Sequence, residues 1–229
     1  FNTAGVKAII CVDDDYVIEQ TEAALAKCSD VSIKLLVGSE REGWRNFNSD
    51  NAELAWHVVD GCLQANGVGD DANGYIVTDK EYENFILSWD WKLSKGGNSG
   101  MLYHVVEHPA YDVPCVTGPE YQLIDEPNFP QELEEWQKLG VDYAMYLPDK
   151  SKMKVNPYGE WNNSMIVFDN GHVEHWLNDV KVLEYERNTQ MWDALVNYSK
   201  YKVWPGFGTA EDGHILLQDH GDEVWFKNI

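Results

Sequence analysis

The chain has 229 residues, 44% of them apolar and ten of them tryptophan, which supports a sizeable folded core and argues against disorder. Its 17 basic and 39 acidic residues leave a net charge of −22, which argues against nucleic-acid phosphates or anionic membranes as partners. No run approaches the ~18 apolar residues of a membrane span.

The chain opens at Phe1 without a basic-then-apolar leader, so a targeting peptide is expected to have been removed or left out. Residues 6–15 read as an apolar strand ending in aspartates, residues 17–28 as a helix and residues 32–38 as a short strand. From Trp44 onward, short strands separated by turn residues take over. Residues 53–67 suggest two strands around the hairpin pair Asp60-Gly61. At 84–93 the alternation is sharp, with Phe85, Leu87, Trp89 and Trp91 on one face and Asn84, Ser88, Asp90 and Lys92 on the other. Further strands are predicted at 99–107, 120–125, 164–169, 172–177, 180–186, 214–219 and 224–229. A single helix is predicted at 131–140, stopped by Gly140. Many short strands and little helix point to a β-sandwich or jelly roll in one domain over 34–229, preceded by an N-terminal extension over 1–33. Cys11, Cys28, Cys62 and Cys115 are widely separated, form no CxxC, and leave one or two bridges open.

Residues 170–179, NGHVEHWLND, hold two histidines three apart with a glutamate between them, superficially a zinc site. Asn170-Gly171 and Asn178-Asp179 are turn pairs, so the segment is a strand with period two. His172, Glu174 and Trp176 then point to one face, with Lys181 beside them, and His175 to the other. His175 is expected opposite Ile166 and Val182, beside Phe168 and Val173, as a buried, hydrogen-bonded histidine.

Five stretches in order, GWRNFN (43–48), 76–107, GPEYQLID (118–125), 159–179 and 214–229, resemble the 3-keto-disaccharide hydrolase family. The resemblance implies an all-β, concanavalin-like jelly roll, export to the periplasm or cell surface, and cleavage of glycosidic bonds, often in sugars oxidised at C3. Residues 1–33 match no part of that pattern, and Asp179 stands where the family's hairpin usually has glycine.

Glycoside cleavage uses paired carboxyl groups, whereas a ketone at C3 makes the C2 proton acidic enough for one side-chain base to remove. Strand parity turns Glu120 and Gln122 onto one face, a carboxyl and an amide side by side. With the resemblance, Glu120 is the candidate acid/base, with His104 and Glu107 as catalytic partners. Asn98, Ser99, Tyr103, Gln122, Gln218 and His220 are the candidate sugar ligands. His104, Glu120 and His220 together are a candidate site for a divalent ion; no nucleotide or organic cofactor is implied. Trp89, Trp91, Trp136, Trp161 and Trp176 are possible sugar platforms. Two other readings stand: a lectin-like carbohydrate-binding module without catalysis, and a structural domain of a larger surface assembly.

Overall fold

Strands that alternate apolar and polar residues must bury one face, and the computed structural model shows what they bury it against. It describes residues 7–9, 43–48, 56–66 and 74–229. The strands are β1 (Lys7–Ile9), β2 (Trp44–Asn46), β3 (Trp56–Val59), β4 (Cys62–Asn66), β5 (Tyr75–Tyr82), β6 (Phe85–Leu93), β7 (Asn98–Val105), β8 (Glu120–Ile124), β9 (Asn162–Asp169), β10 (His172–Leu177), β11 (Val180–Glu186), β12 (Gly213–Gln218) and β13 (Glu223–Lys227). One sheet runs β11-β10-β9-β6-β13-β4-β3, with β1 added parallel to the start of β6, and the other runs β2-β5-β12-β7-β8. The two face each other as a jelly-roll β-sandwich, and the pairings other than β1–β6 are antiparallel.

The layer between the sheets is aromatic. Phe85 of β6 meets Tyr103 of β7 at 6.0 Å and stacks on Phe168 of β9 at 5.8 Å. Trp89 stands edge-on to Tyr121 at 5.3 Å, and Tyr121 lies 4.5 Å from the His175 ring. The whole inward stripe predicted for β6, Phe85, Leu87, Trp89 and Trp91, is buried.

Hairpin chemistry follows the turn pairs. Asp60-Gly61, Asn170-Gly171 and Asn178-Asp179 all carry left-handed φ at both positions, including +65° at Asp179, where asparagine-like side chains tolerate a conformation that favours glycine. In β10, His175 is fully buried opposite Ile166, and its Nδ1–H donates to Gly140 O at 3.1 Å. Its partner in β11 is Leu183 rather than Val182, because a bulge after His175 leaves Val182 without an opposite residue. Glu174 sits on the outer face with Lys181 at 2.9 Å and Trp176 Nε1 at 2.7 Å.

Several elements differ from expectation. The helix expected at 131–140 is a loop with one 3-10 turn, Glu135–Gln137. Its backbone is claimed elsewhere: Gly140 N–H donates to Gln122 O at 2.9 Å, and Gly140 has φ +78°. Among the described residues the α-helix is α1 (Gln190–Tyr198), capped by Thr189, whose hydroxyl accepts from Trp192 N–H. Strands β2 and β5 were not anticipated. The helix expected at 17–28 and the strand at 32–38 lie outside the described residues. Cys62 and Cys115 are free, and among the described residues no helix is long and apolar enough to cross a membrane.

Phe85 is fully buried against three rings across both sheets. Phe85→Ala is expected to cost about 3–5 kcal/mol in urea unfolding. A loss under ~1 kcal/mol would contradict the packing described.

Candidate active site

Burial alternates residue by residue along β6, β9 and β10, but it is nearly continuous along β7, β8 and β12. Strands buried on both faces need a cover on both. One face of the smaller sheet packs on the larger sheet, and connecting segments cover the other. Gln122 N–H donates to Val141 O at 3.2 Å and Tyr143 N–H to Glu120 O at 2.9 Å, so residues 140–143 close the free edge of β8. Gly208 N–H donates to Thr117 O at 2.7 Å, joining two more of these segments.

Register decides what the covered outer face carries. Arg45 lies opposite Val77, Val77 opposite Leu216, Leu216 opposite Leu102 and Leu102 opposite Glu120, one row across five strands. In the neighbouring row Gly100 lies opposite Gln122. A Cβ on Gly100 would fall 2.5 Å from Glu120 Oε1 and 3.1 Å from Gln218 Oε1, so both oxygens occupy the space this glycine leaves. Glu120, Gln122 and Gln218 are all buried. Gln122 Nε2 donates to Gln137 O at 3.1 Å, but Gln122 Oε1 and Gln218 Oε1 have no donor. Buried acceptors are normally satisfied, and two on the face that carries this carboxyl mark a place for a ligand's O–H groups.

Burial pushes the Glu120 carboxyl above the usual 4.5, and the facing charges of Lys200 and His220 offset this only in part. Lys200 Nζ stands 4.2 Å over the Tyr143 ring, and burial likewise raises the neighbouring Tyr143 phenol and Cys115 thiol. A carboxyl whose pKa burial has raised, with a cation and an imidazole opposite, is suited to moving one proton.

The other sequence-predicted residues do not gather here. His104 was expected beside Leu102, but its φ is +50° and the β12 register slips between His214 and Leu216, so the ring turns into the layer between the sheets. There it lies 4.4 Å from the Phe168 ring. Arg187 Nη1 donates to His104 Nδ1 at 2.8 Å, so Nε2 carries the hydrogen and donates to Glu83 O at 2.8 Å. Burial and the adjacent Arg187 charge lower its pKa to about 4. With both ring nitrogens engaged, His104 is a structural neutral histidine, and the ion site on His104, Glu120 and His220 does not fit. Among the described residues, the three-residue group with ligand atoms within 4.8 Å of one another is His172, Glu174 and Glu184 on the outer face of the β10–β11 hairpin. Lys181 already bridges both of its carboxylates.

Tyr103 and Ser99 face inward for the reason of parity: the Tyr103 hydroxyl bonds the Tyr185 hydroxyl at 2.5 Å, and Ser99 donates to Gln218 O at 2.6 Å. Glu107 does lie on the outer side, but its carboxylate is clamped by both Arg45 Nη atoms and by Asn48 N–H. Burial alone would raise its pKa; these partners outweigh burial and hold it below the usual value, a poor proton acceptor. Asn98 is anchored through its N–H to Asp222 at 3.0 Å, with its side-chain carbonyl buried and without a donor.

Sequence reasoning missed Lys200, which opens the 3-10 turn Lys200–Val203, and Tyr143 and Asp142 in a loop; their only signal is contact made by folding. Asp142 is fully buried and bridges to Tyr121, on the opposite side of β8 from Glu120. Neither of its oxygens makes a formed hydrogen bond, although the Tyr185 hydroxyl and Arg187 are near. Burial pushes its pKa up from 3.8 to about 8.

Residues 32–229 match the 3-keto-alpha-glucoside-1,2-lyase-like domain. A protein of Bacteroides thetaiotaomicron named 3-keto-disaccharide hydrolase is 35% identical over 234 aligned residues, covering 88% of this chain and 78% of the relative. Two crystal structures from Parabacteroides distasonis, both provisionally named glycosyl hydrolases, share the fold. The first is 42% identical with TM-score 0.78, covering 85% of this chain and 90% of the other. The second is 27% identical with TM-score 0.64, covering 85% and 95%.

An acid whose pKa is raised by folding stabilises fully below its unfolded pKa and loses that contribution as pH rises through the folded value. For Asp142 the window runs from about 4 to about 8. Asp142→Asn is therefore expected to gain stability relative to wild type steadily across that window, with a plateau above it. Urea unfolding at stepped pH measures this, and parallel curves would contradict it.

Proposed function

This chain belongs to the 3-keto-alpha-glucoside-1,2-lyase-like family, and we propose that it is a carbohydrate-active enzyme cleaving the glycosidic bond of 3-keto glucosides or disaccharides. One observation carries the reading: a single buried carboxyl, Glu120, meets the donor-less amide oxygen of Gln218 over Gly100, and the donor-less Gln122 is register partner to that glycine. Direct displacement at C1 wants two carboxyl groups flanking the bond. Here Glu107 is neutralised by Arg45 and Asp142 lies on the other face of the sheet, which favours a one-base route.

In that route the substrate's C3 ketone acidifies C2–H. Glu120 takes the C2 proton, and the electron pair forms an enolate across C2 and C3. Collapse of the enolate restores the ketone, forms the C1–C2 double bond and expels the C1 substituent, which takes up a proton as it leaves. Water adding across the new bond completes hydrolysis; release before that step is a lyase outcome. Lys200, facing Glu120, supplies positive charge and His220 a ring hydrogen-bonding group toward the enolate oxygen. Gln122 and Gln218 accept from sugar hydroxyls. A metal is given no step. Export to the periplasm or cell surface is part of this proposal and rests on the family resemblance.

Purified protein should cleave a 3-keto disaccharide and leave the unoxidised disaccharide intact. Glu120→Gln should lower kcat about 10²–10⁴-fold while sugar binding by calorimetry persists. Because burial raises the Glu120 pKa above 4.5, kcat/KM should fall on the acid side at a pH above the ordinary glutamate range. Sugar binding with no turnover of either substrate would instead identify a lectin-like module.

A further inference from the structure

A sugar platform is an aromatic face that is exposed, rigid and close to the polar groups of the site. Trp56, Trp89, Trp91 and Trp192 are buried, and Trp136, 39% exposed, is the most exposed tryptophan of the chain. It stands in the 3-10 turn Glu135–Gln137, and that turn is fastened from several directions. Glu134 N–H donates to Gln137 Oε1 at 3.0 Å, Ala144 N–H donates to Trp136 O at 3.2 Å, and Lys150 Nζ donates to Glu135 at 2.6 Å.

The same turn is joined to the floor of the site. Gln137 O receives the Gln122 side chain, and Gln137 Nε2 donates to the Tyr143 hydroxyl at 3.4 Å. Tyr143 is in turn hydrogen-bonded through its N–H to Glu120 O. The Trp136 ring stands at 87° to Tyr143, 5.3 Å between centroids, while Lys200 covers the Tyr143 face. One Tyr143 face is thus taken, and Trp136 is the exposed aromatic surface of the loop that is tied to Glu120.

We propose that Trp136 is the platform for the second ring of a disaccharide substrate, the sugar that leaves from C1. Tyr143, with Lys200 over its ring, links the Trp136 ring to Glu120. The inference rests on Glu120 marking the reacting centre. It assigns preference for the leaving group to a loop, and retention of the keto sugar to the sheet.

The test compares a 3-keto disaccharide with methyl 3-keto-glucoside in wild type, Trp136→Ala and Trp136→Phe. The ratio of kcat/KM, disaccharide over methyl glycoside, should fall about fivefold to tenfold in Trp136→Ala and recover to within about twofold in Trp136→Phe. An unchanged ratio, or failure of the phenylalanine variant to recover it, overturns the platform. Calorimetric binding of the same two sugars to each variant gives an arm that needs no turnover. If wild type cleaves neither ketone, the catalytic reading fails. The platform then stands only if Trp136→Ala weakens disaccharide binding selectively.

Discussion

Oxygens from two strands can meet over the strand between them where that strand carries no side chain, and this site uses that at Gly100. Any Cβ there would fall 2.5 Å from Glu120 Oε1, inside contact distance. The missing side chain lets oxygens from β8 and β12 meet over the strand between them. Burial then does the chemistry's preparation, raising the Glu120 carboxyl while leaving two amide acceptors without donors. Those acceptors are a cost to the folded protein that a polyhydroxylated ligand can offset.

The sandwich separates two uses of the same strands. Tyr103, Tyr121 and Met101 fill the layer between the sheets, while Glu120, Gln122 and Gln218 face the covering loops. The two faces carry different polar devices. Arg187 and His104 sit in the inner layer with all the histidine's hydrogen-bonding capacity used, and Asp142 is buried there among tyrosines. The outer face holds its carboxyl opposite Lys200 and His220, at the mouth of a loop carrying Trp136.

Much of this was legible wherever period two runs unbroken. It turned Glu120 with Gln122, split His172 from His175, and predicted the stripe of β6, because strand parity is a property of the backbone alone. It failed at His104, where a left-handed residue and a register slip reverse the side chain, and nothing in the spacing announces such a bulge. The segment 131–140 has helical composition, yet its backbone groups are captured by β8, a tertiary demand that outweighs weak propensity. Lys200 and Tyr143 were invisible for a related reason: neither stands in a strand, and only closure of the connecting segments over the sheet brings them to Glu120.

If Glu120 removes the C2 proton of a 3-keto sugar, the fate of that hydrogen reveals it. Turnover of a 3-keto disaccharide in deuterated water, followed by proton NMR, should show loss of the original C2 hydrogen in every product molecule, with deuterium at C2 wherever water has added back. Cleavage that retains the C2 hydrogen would contradict the account, since it would mean direct displacement at C1 with no role for a base at C2.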